Sequence, residues 1–470
     1  MTVQRPGAGD TAGWWTGEGS APEWWRRDPP REQSSAGEGG VRSLPDTGDS
    51  RAAFWGLMAF TFVMVISPQN FVPPLKPLRL ALLSAVVSVV ALLVHRFSHG
   101  RPVAIVTREM WIAAALAAWA ALTIPWSYWP GGSVSVLLDA YVKSLAIFWL
   151  LANTLNAPIR IRRIAWALTM MAVPLALSGV RHFSAAQFDP PGATDKRILG
   201  YVAPLTQNPN DLALMLNLLL PLAVALLLIT ERHRVRLFLL AVIAVVVAGV
   251  IVTFSRGGFV TLGMTFLVYL WKFRGRAEAR GAWTLAMLLV VVMLAGLPFL
   301  PAAYVQRLST ITDAEADPTG SAQARWSDAG AALRFVSRHP IVGAGVGQNI
   351  LALNQERGAR WTEIHNVYLE YAVDLGLPGL FLFLLLLGSC IRATMVVQRQ
   401  TAGRPAFRDV FCLAEGVQVS LIAFTVAAMF HPVAYHFYFY YMAGLALALR
   451  ETWRTLGSGR SGAADPAVAG

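Results

Sequence analysis

The stretch LMLNLLLPLAVALLLIT, residues 214–230, carries no charge and shows no alternation of apolar with polar positions. A helix needs about 20 predominantly apolar residues to cross a bilayer. A barrel strand instead alternates over about 10 residues. The segment therefore reads as a membrane-spanning helix. Similar blocks recur at roughly 52–69, 78–95, 109–126, 134–154, 163–183, 210–230, 236–254, 258–272, 282–300, 365–390, 411–430 and 436–450. The fold class is an all-α membrane protein of about twelve transmembrane helices. A large extracytoplasmic loop, 301–363, separates the ninth span from the tenth.

Composition agrees with this. Of the 470 residues 55% are hydrophobic and 14% charged, against roughly a quarter charged in soluble domains. Mean hydropathy is +0.50. The net charge of +12 would suit nucleic acid, but the basic residues cluster in short stretches between apolar blocks, which argues for no nucleic-acid partner. With the N-terminus inside, the inner loops carry Arg96, Arg101 and Arg108; Arg160, Arg162 and Arg163; Arg232, Arg234 and Arg236; Lys272, Arg274, Arg276 and Arg280; and Arg392, Arg399, Arg404 and Arg408. That asymmetry predicts both termini in the cytoplasm. Lys76 and Arg79, beside the second span, are an exception on the outer side. Asp139 and Lys143, at i and i+4 in the fourth span, read as a self-compensating pair. The two cysteines, Cys390 and Cys412, are expected near cytoplasmic helix ends, with no disulfide framework.

Residues 1–50, rich in Gly, Ser, Pro and charge, are expected to be a disordered cytoplasmic tail. The polytopic membrane domain follows at 51–451, and a second disordered cytoplasmic tail at 452–470. No cleavable signal peptide is expected before the first span.

Two outer segments are long, 184–209 and 301–363, and loops of that length usually carry function. Trp326, Phe335 and Trp361 give the second something to pack.

Four stretches on the outer face could carry chemistry. In RILGYVAPLTQNPNDLA, residues 197–213, Arg197 precedes a helix that Asn208 and Asn210 can cap. A guanidinium beside a helix N-terminus suits a phosphate, and an arginine snorkelling to head groups is the competing reading. In TFSRGG, residues 253–258, two glycines allow a tight hairpin that presents Arg256; anchoring that hairpin is its rival role. In ARWSDAGAALRFVSRHPIVGAGVGQN, residues 324–349, an amphipathic helix has Trp326, Ala329 and Leu333 on one face, ends at His339–Pro340, and leads into a flexible glycine turn. Arg325 opens that helix and faces either a cavity or solvent. The GAGVG turn lacks the βαβ setting of a dinucleotide fingerprint.

In EIHNVYLEYAVDLGLPG, residues 363–379, His365 and Asn366 begin a helix that re-enters the membrane. An imidazole there titrates near neutrality and can act as a general base, or can simply sit at the interface. Glu363, Asn366, Asp374 and His431 are secondary candidates. No P-loop, HExxH, GxSxG or Asp-x-Asp element is present, so no metal site and no cofactor are expected.

These four stretches, in this order over about 190–390, resemble the O-antigen ligase and polymerase family of polytopic membrane glycosyltransferases. The resemblance implies a polyprenyl-diphosphate-linked glycan as donor and either a growing glycan or lipid A–core as acceptor. It implies a bacterial inner (cell) membrane location with the active face periplasmic, in lipopolysaccharide or exopolysaccharide biosynthesis. By motif it points to His365 as the catalytic base and to Arg197, Arg256 and Arg325 as the cations holding the diphosphate, without a metal. The shared motifs do not separate ligases from polymerases. A transporter or flippase of lipid-linked glycan is the alternative, and it would need charged residues at mid-membrane.

Overall fold

The computed structural model describes residues 49–185, 188–189, 197–274 and 320–461. It is helical apart from a two-stranded antiparallel hairpin that pairs Phe188 with Ile198 and Asp189 with Arg197. The helices are α1 (Arg51–Ile66), α2 (Leu80–Ser98), α3 (Arg108–Leu122), α4 (Pro130–Thr154), α5 (Pro158–Ser184), α6 (Pro209–Ile229), α7 (His233–Val252), α8 (Arg256–Phe273), α9 (Ser321–Arg338), α10 (Asn349–Arg357), α11 (Val367–Thr401), α12 (Arg408–Ala427) and α13 (Phe437–Ser461). A π turn, Leu137–Tyr141, interrupts α4. Proline opens α4, α5 and α6, where its missing N–H costs no helical bond.

Eight helical segments among the described residues are long and apolar enough to cross a membrane. That is fewer than the twelve spans expected. The expected ninth span, 282–300, lies outside the described residues, as do 1–48 and 301–319. Three other expected spans fall on α1, α8 and α13, which are helical without reaching that length and hydropathy. The chain stays helical to Ser461, past the tail boundary expected at 452. Cys390 and Cys412 are both buried free thiols, Cys390 in the body of α11 rather than at its end.

Helices α6 and α12 form the centre. They pack on each other, with α5, α7 and α8 around α6, and α8, α11 and α13 around α12. Helix α1 packs mainly on α2, and α13 closes the bundle against α4. The Asp139–Lys143 pair forms at 3.1 Å, exposed on α4 as the spacing implied.

Helix α11 is broken. Gly376 adopts φ 67°, and Pro378 follows it. The glycine turn after α9 lies along this break: the amides of Ala344 and Gly345 donate to the carbonyls of Val373 and Asp374, each at 2.8 Å, and Leu377 N donates to Pro340 O at 2.7 Å. The turn read as flexible is thus tied down. Unwound backbone survives inside a membrane protein only where other groups take up its freed carbonyls. The positive φ of Gly343, Gly345 and Gly347 lets the turn follow the helix closely.

Helices α9 and α10 add a small second core of Ala331, Ala332, Phe335, Ala352, Leu353 and Ile364, seated on Val373 of α11. The apolar face expected on α9 does not point to the core. Trp326 and Leu333 are exposed, and Phe335 is buried instead. Apolar spacing identified a stripe without saying which medium it faced. The buried side of α9 also holds Asp328, ion-paired with Arg357 and, at 3.4 Å, with Arg360.

Candidate functional site

Three helix beginnings meet at one corner, and each is capped by its own side chain. Asn208 Oδ1 accepts from Asn210 N at 2.9 Å to start α6. Ser255 Oγ accepts from Gly258 N at 3.1 Å to start α8. Asn366 Oδ1 accepts from Tyr368 N and Leu369 N, at 3.0 and 3.1 Å, to start α11. Such caps hold the first turn in place. Asn366, a secondary candidate, therefore acts structurally as this cap.

The corner is close-packed. A methyl group on Gly258 would lie 2.6 Å from Ala213 Cβ, and one on Gly257 would lie 2.7 Å from Phe430 Cβ. Asn217 Nδ2 donates to Gly258 O at 3.0 Å. Both glycines of TFSRGG are thus required by contact, and they bring the start of α8, with Arg256, against α6 and Phe430.

The next residue, His431, is buried. Its Nδ1 lies 2.8 Å from Ala427 O and its Nε2 lies 3.0 Å from Asn210 O. Burial pushes its pKa down, and the positive charges of Arg325 and His365 nearby act in the same direction, against the two carbonyls. Val367 N donates to Ala428 O at 2.8 Å, tying the start of α11 to the same loop.

The structure therefore brings Arg325, His365 and Asn366 to the Phe430–His431 corner, and the start of α8, which carries Arg256, packs on Phe430. Arg197 is different. Its backbone pairs with Asp189 in the hairpin, its side chain lies outside the described residues, and Ile198 beside it packs near Gly179 of α5.

His365 is half-buried, with Nδ1 3.1 Å from Glu363 O. A carbonyl only accepts, so Nδ1 carries a proton, and whenever the ring is neutral its lone pair is on Nε2. Glu363 is exposed at its surface, yet neighbouring protein desolvates its carboxyl enough to raise its pKa. That narrows the contrast drawn from sequence between it and His365.

Asp374 is buried away from the corner. Its Oδ2 accepts from Gly347 N at 2.8 Å and Tyr435 Oη at 3.1 Å. Glu370, one turn earlier, was not singled out from sequence. Its Oε2 accepts from Ala434 N at 3.1 Å. The two carboxylates thus hold the glycine turn and the loop bearing His431. An acid one turn into an apolar span was the available signal for Glu370.

Also missed was a buried group at the far ends of α8 and α11. Lys272 Nζ lies 3.1 Å from Gln398 Oε1 and 3.5 Å from Glu415 Oε1. Among the described residues no three His, Cys, Asp or Glu side chains come together to hold a metal ion.

No curated protein matches this sequence significantly. One solved chain, from a structure entitled "Structural coordination of polymerization and crosslinking by a peptidoglycan synthase complex", is similar at 17% identity and a TM-score of 0.38. The match covers 74% of this chain and 97% of that one. A likeness at that level carries no argument here. The family model described as O-antigen ligase matches residues 241–384, the stretch that contains Arg256, Arg325 and His365. That match falls on three of the four motif stretches and supports the resemblance to the O-antigen ligase family over this part of the membrane protein.

Proposed function

We propose that this protein is a membrane glycosyltransferase that takes glycan from a polyprenyl-diphosphate carrier at the periplasmic face, as a ligase or a polymerase. The observation supporting this reading is the approach of Arg325 and His365 to one buried histidine, His431, with the start of α8 that carries Arg256 packed on the adjoining Phe430. Their motifs are separate in sequence, so a purely interfacial role for each gives no reason for them to meet.

The chemistry follows from the groups. An acceptor hydroxyl attacks the anomeric carbon while His365 Nε2 takes its proton. The bond from that carbon to the diphosphate breaks, and its electron pair leaves on the diphosphate oxygen. Guanidinium groups of Arg256 and Arg325, joined by Arg197, stabilise the growing negative charge. Attack opposite the leaving group inverts the anomeric centre.

The test is transfer by purified protein from lipid-linked glycan to an acceptor, compared with Arg256→Ala, Arg325→Ala and His365→Ala. Unchanged transfer in all three would refute the reading. A deletion strain separates the two activities. Single capped units without long chains indicate a polymerase; free lipid-linked polymer with uncapped core indicates a ligase.

A further inference from the structure

Lys76 and Arg79 break the inside-positive pattern, and the outer corner makes no use of them. Both rim a groove of about 690 Å³ between α1, α2 and α4. Its walls are apolar: Phe60 and Met64 from α1, Ala85 and Val89 from α2, Ile147 and Leu150 from α4. Helix α2 stands at the periphery, with Leu82, Val86 and Val90 exposed, so the groove opens sideways to the bilayer.

We propose that this groove is a binding site for one anionic glycerophospholipid, with an acyl chain between the helices and the phosphate on Lys76 and Arg79. Neither residue makes an ion pair or hydrogen bond through its side chain among the described residues, and both are exposed. Pro73, Pro74 and Pro77 stiffen the 3-10 segment that carries Lys76. A third cation on the wall, Lys143, is already compensated by Asp139 at 3.1 Å. Two uncompensated cations beside an apolar slot match one phosphate with a hydrocarbon tail. At the same rim the buried Gln69 Oε1 has no hydrogen-bond partner among the described residues. A hydroxylated head group such as glycerol would satisfy it.

Size selects between lipids. From Leu80 to Val90 the α2 wall of the groove extends about 15 Å at 1.5 Å per residue. That is one leaflet of a hydrocarbon core about 30 Å thick, the depth of an acyl chain and too short for a long polyprenyl chain. None of Arg256, Arg325, His365 or His431 lines the groove, so the site is separate from the proposed donor site and does not depend on it.

Native mass spectrometry of the purified protein with phosphatidylglycerol, phosphatidylcholine or polyprenyl phosphate tests this. The wild type should retain one phosphatidylglycerol in preference to phosphatidylcholine. The Lys76→Ala/Arg79→Ala variant should weaken that retention by about 30-fold. Ala85→Trp, which fills the slot, should abolish it without removing a charge. Equal retention of the two phospholipids, or retention unchanged in both variants, would mean ordinary annular lipid and would overturn the site. Displacement of phosphatidylglycerol by polyprenyl phosphate would overturn the choice of occupant.

Discussion

The imidazole of His431 bridges two helix ends, with Nε2 3.0 Å from the Asn210 carbonyl at the start of α6 and Nδ1 2.8 Å from the Ala427 carbonyl at the end of α12. A neutral ring has one N–H, so it cannot donate to both carbonyls. Burial nevertheless lowers the pKa, assisted by the positive charges of Arg325 and His365. The folded protein thus binds a proton at this ring less readily than the unfolded chain does. Stability from this group is fully present above the ordinary imidazole range and declines as pH falls through that range towards the lower folded value. Thermal unfolding from pH 7.5 down to about pH 5 should show that decline, and His431→Gln should flatten it. An identical slope in the variant would exclude His431 as its source.

His365→Ala should lower transfer by about 10²–10⁴-fold, the usual worth of general-base help, with folding unchanged because the ring is only half-buried. Glu363→Gln is the control. Desolvation raises that carboxyl, which brings it closer to a useful base than the sequence alone suggested. Turnover kept in His365→Ala but lost in Glu363→Gln would transfer the role of base to Glu363.

The helical membrane fold was legible because bilayer thickness imposes a length on each apolar block, and α6 follows the expected 210–230 within a residue. The motif stretches at 253–258, 324–349 and 363–379 were legible as residue patterns, and all three fall within the residues that the family model matches. Other features depend on tertiary partners. Of the three aromatics expected to pack, Phe335 is buried while Trp326 and Trp361 are exposed, because the side of α9 that faces the core depends on its tertiary partners. The break at Gly376 is satisfied by Ala344 and Gly345, some 30 residues upstream, and that pairing is not visible in local sequence. Glu370 and Asp374 each serve a backbone amide brought in from elsewhere, and no local pattern announces that. The Lys272–Glu415 pair escaped because its members lie on different helices.

Gln355 on α10 is exposed, so Gln355→Cys can report which side of the membrane this segment faces. With both native cysteines buried, a membrane-impermeant thiol reagent should label the new thiol in intact spheroplasts. Labelling only after lysis would reverse the orientation drawn from the arginine asymmetry and remove the periplasmic assignment of the corner.

The glycine turn and the α11 break can be tested together, because each is built around the other. A methyl group on Gly376 would lie 2.1 Å from Ile341 O, and the residue holds φ 67°. Gly376→Ala must therefore displace the HPIVGAG segment, and a marked loss of thermal stability is expected. Asp374 supplies the second anchor. Replacing it with alanine leaves Gly347 N and Tyr435 Oη without their acceptor, at about 1–3 kcal/mol for each buried group left unpaired. Asp374→Asn retains an acceptor oxygen of the same shape and should recover most of that loss. Turnover should follow the same order, wild type, Asn, then Ala, because the turn ties α9, with Arg325, to α11, whose first turn follows His365. An asparagine variant as unstable as the alanine variant would show that the negative charge itself, rather than these two hydrogen bonds, is what the buried carboxylate contributes.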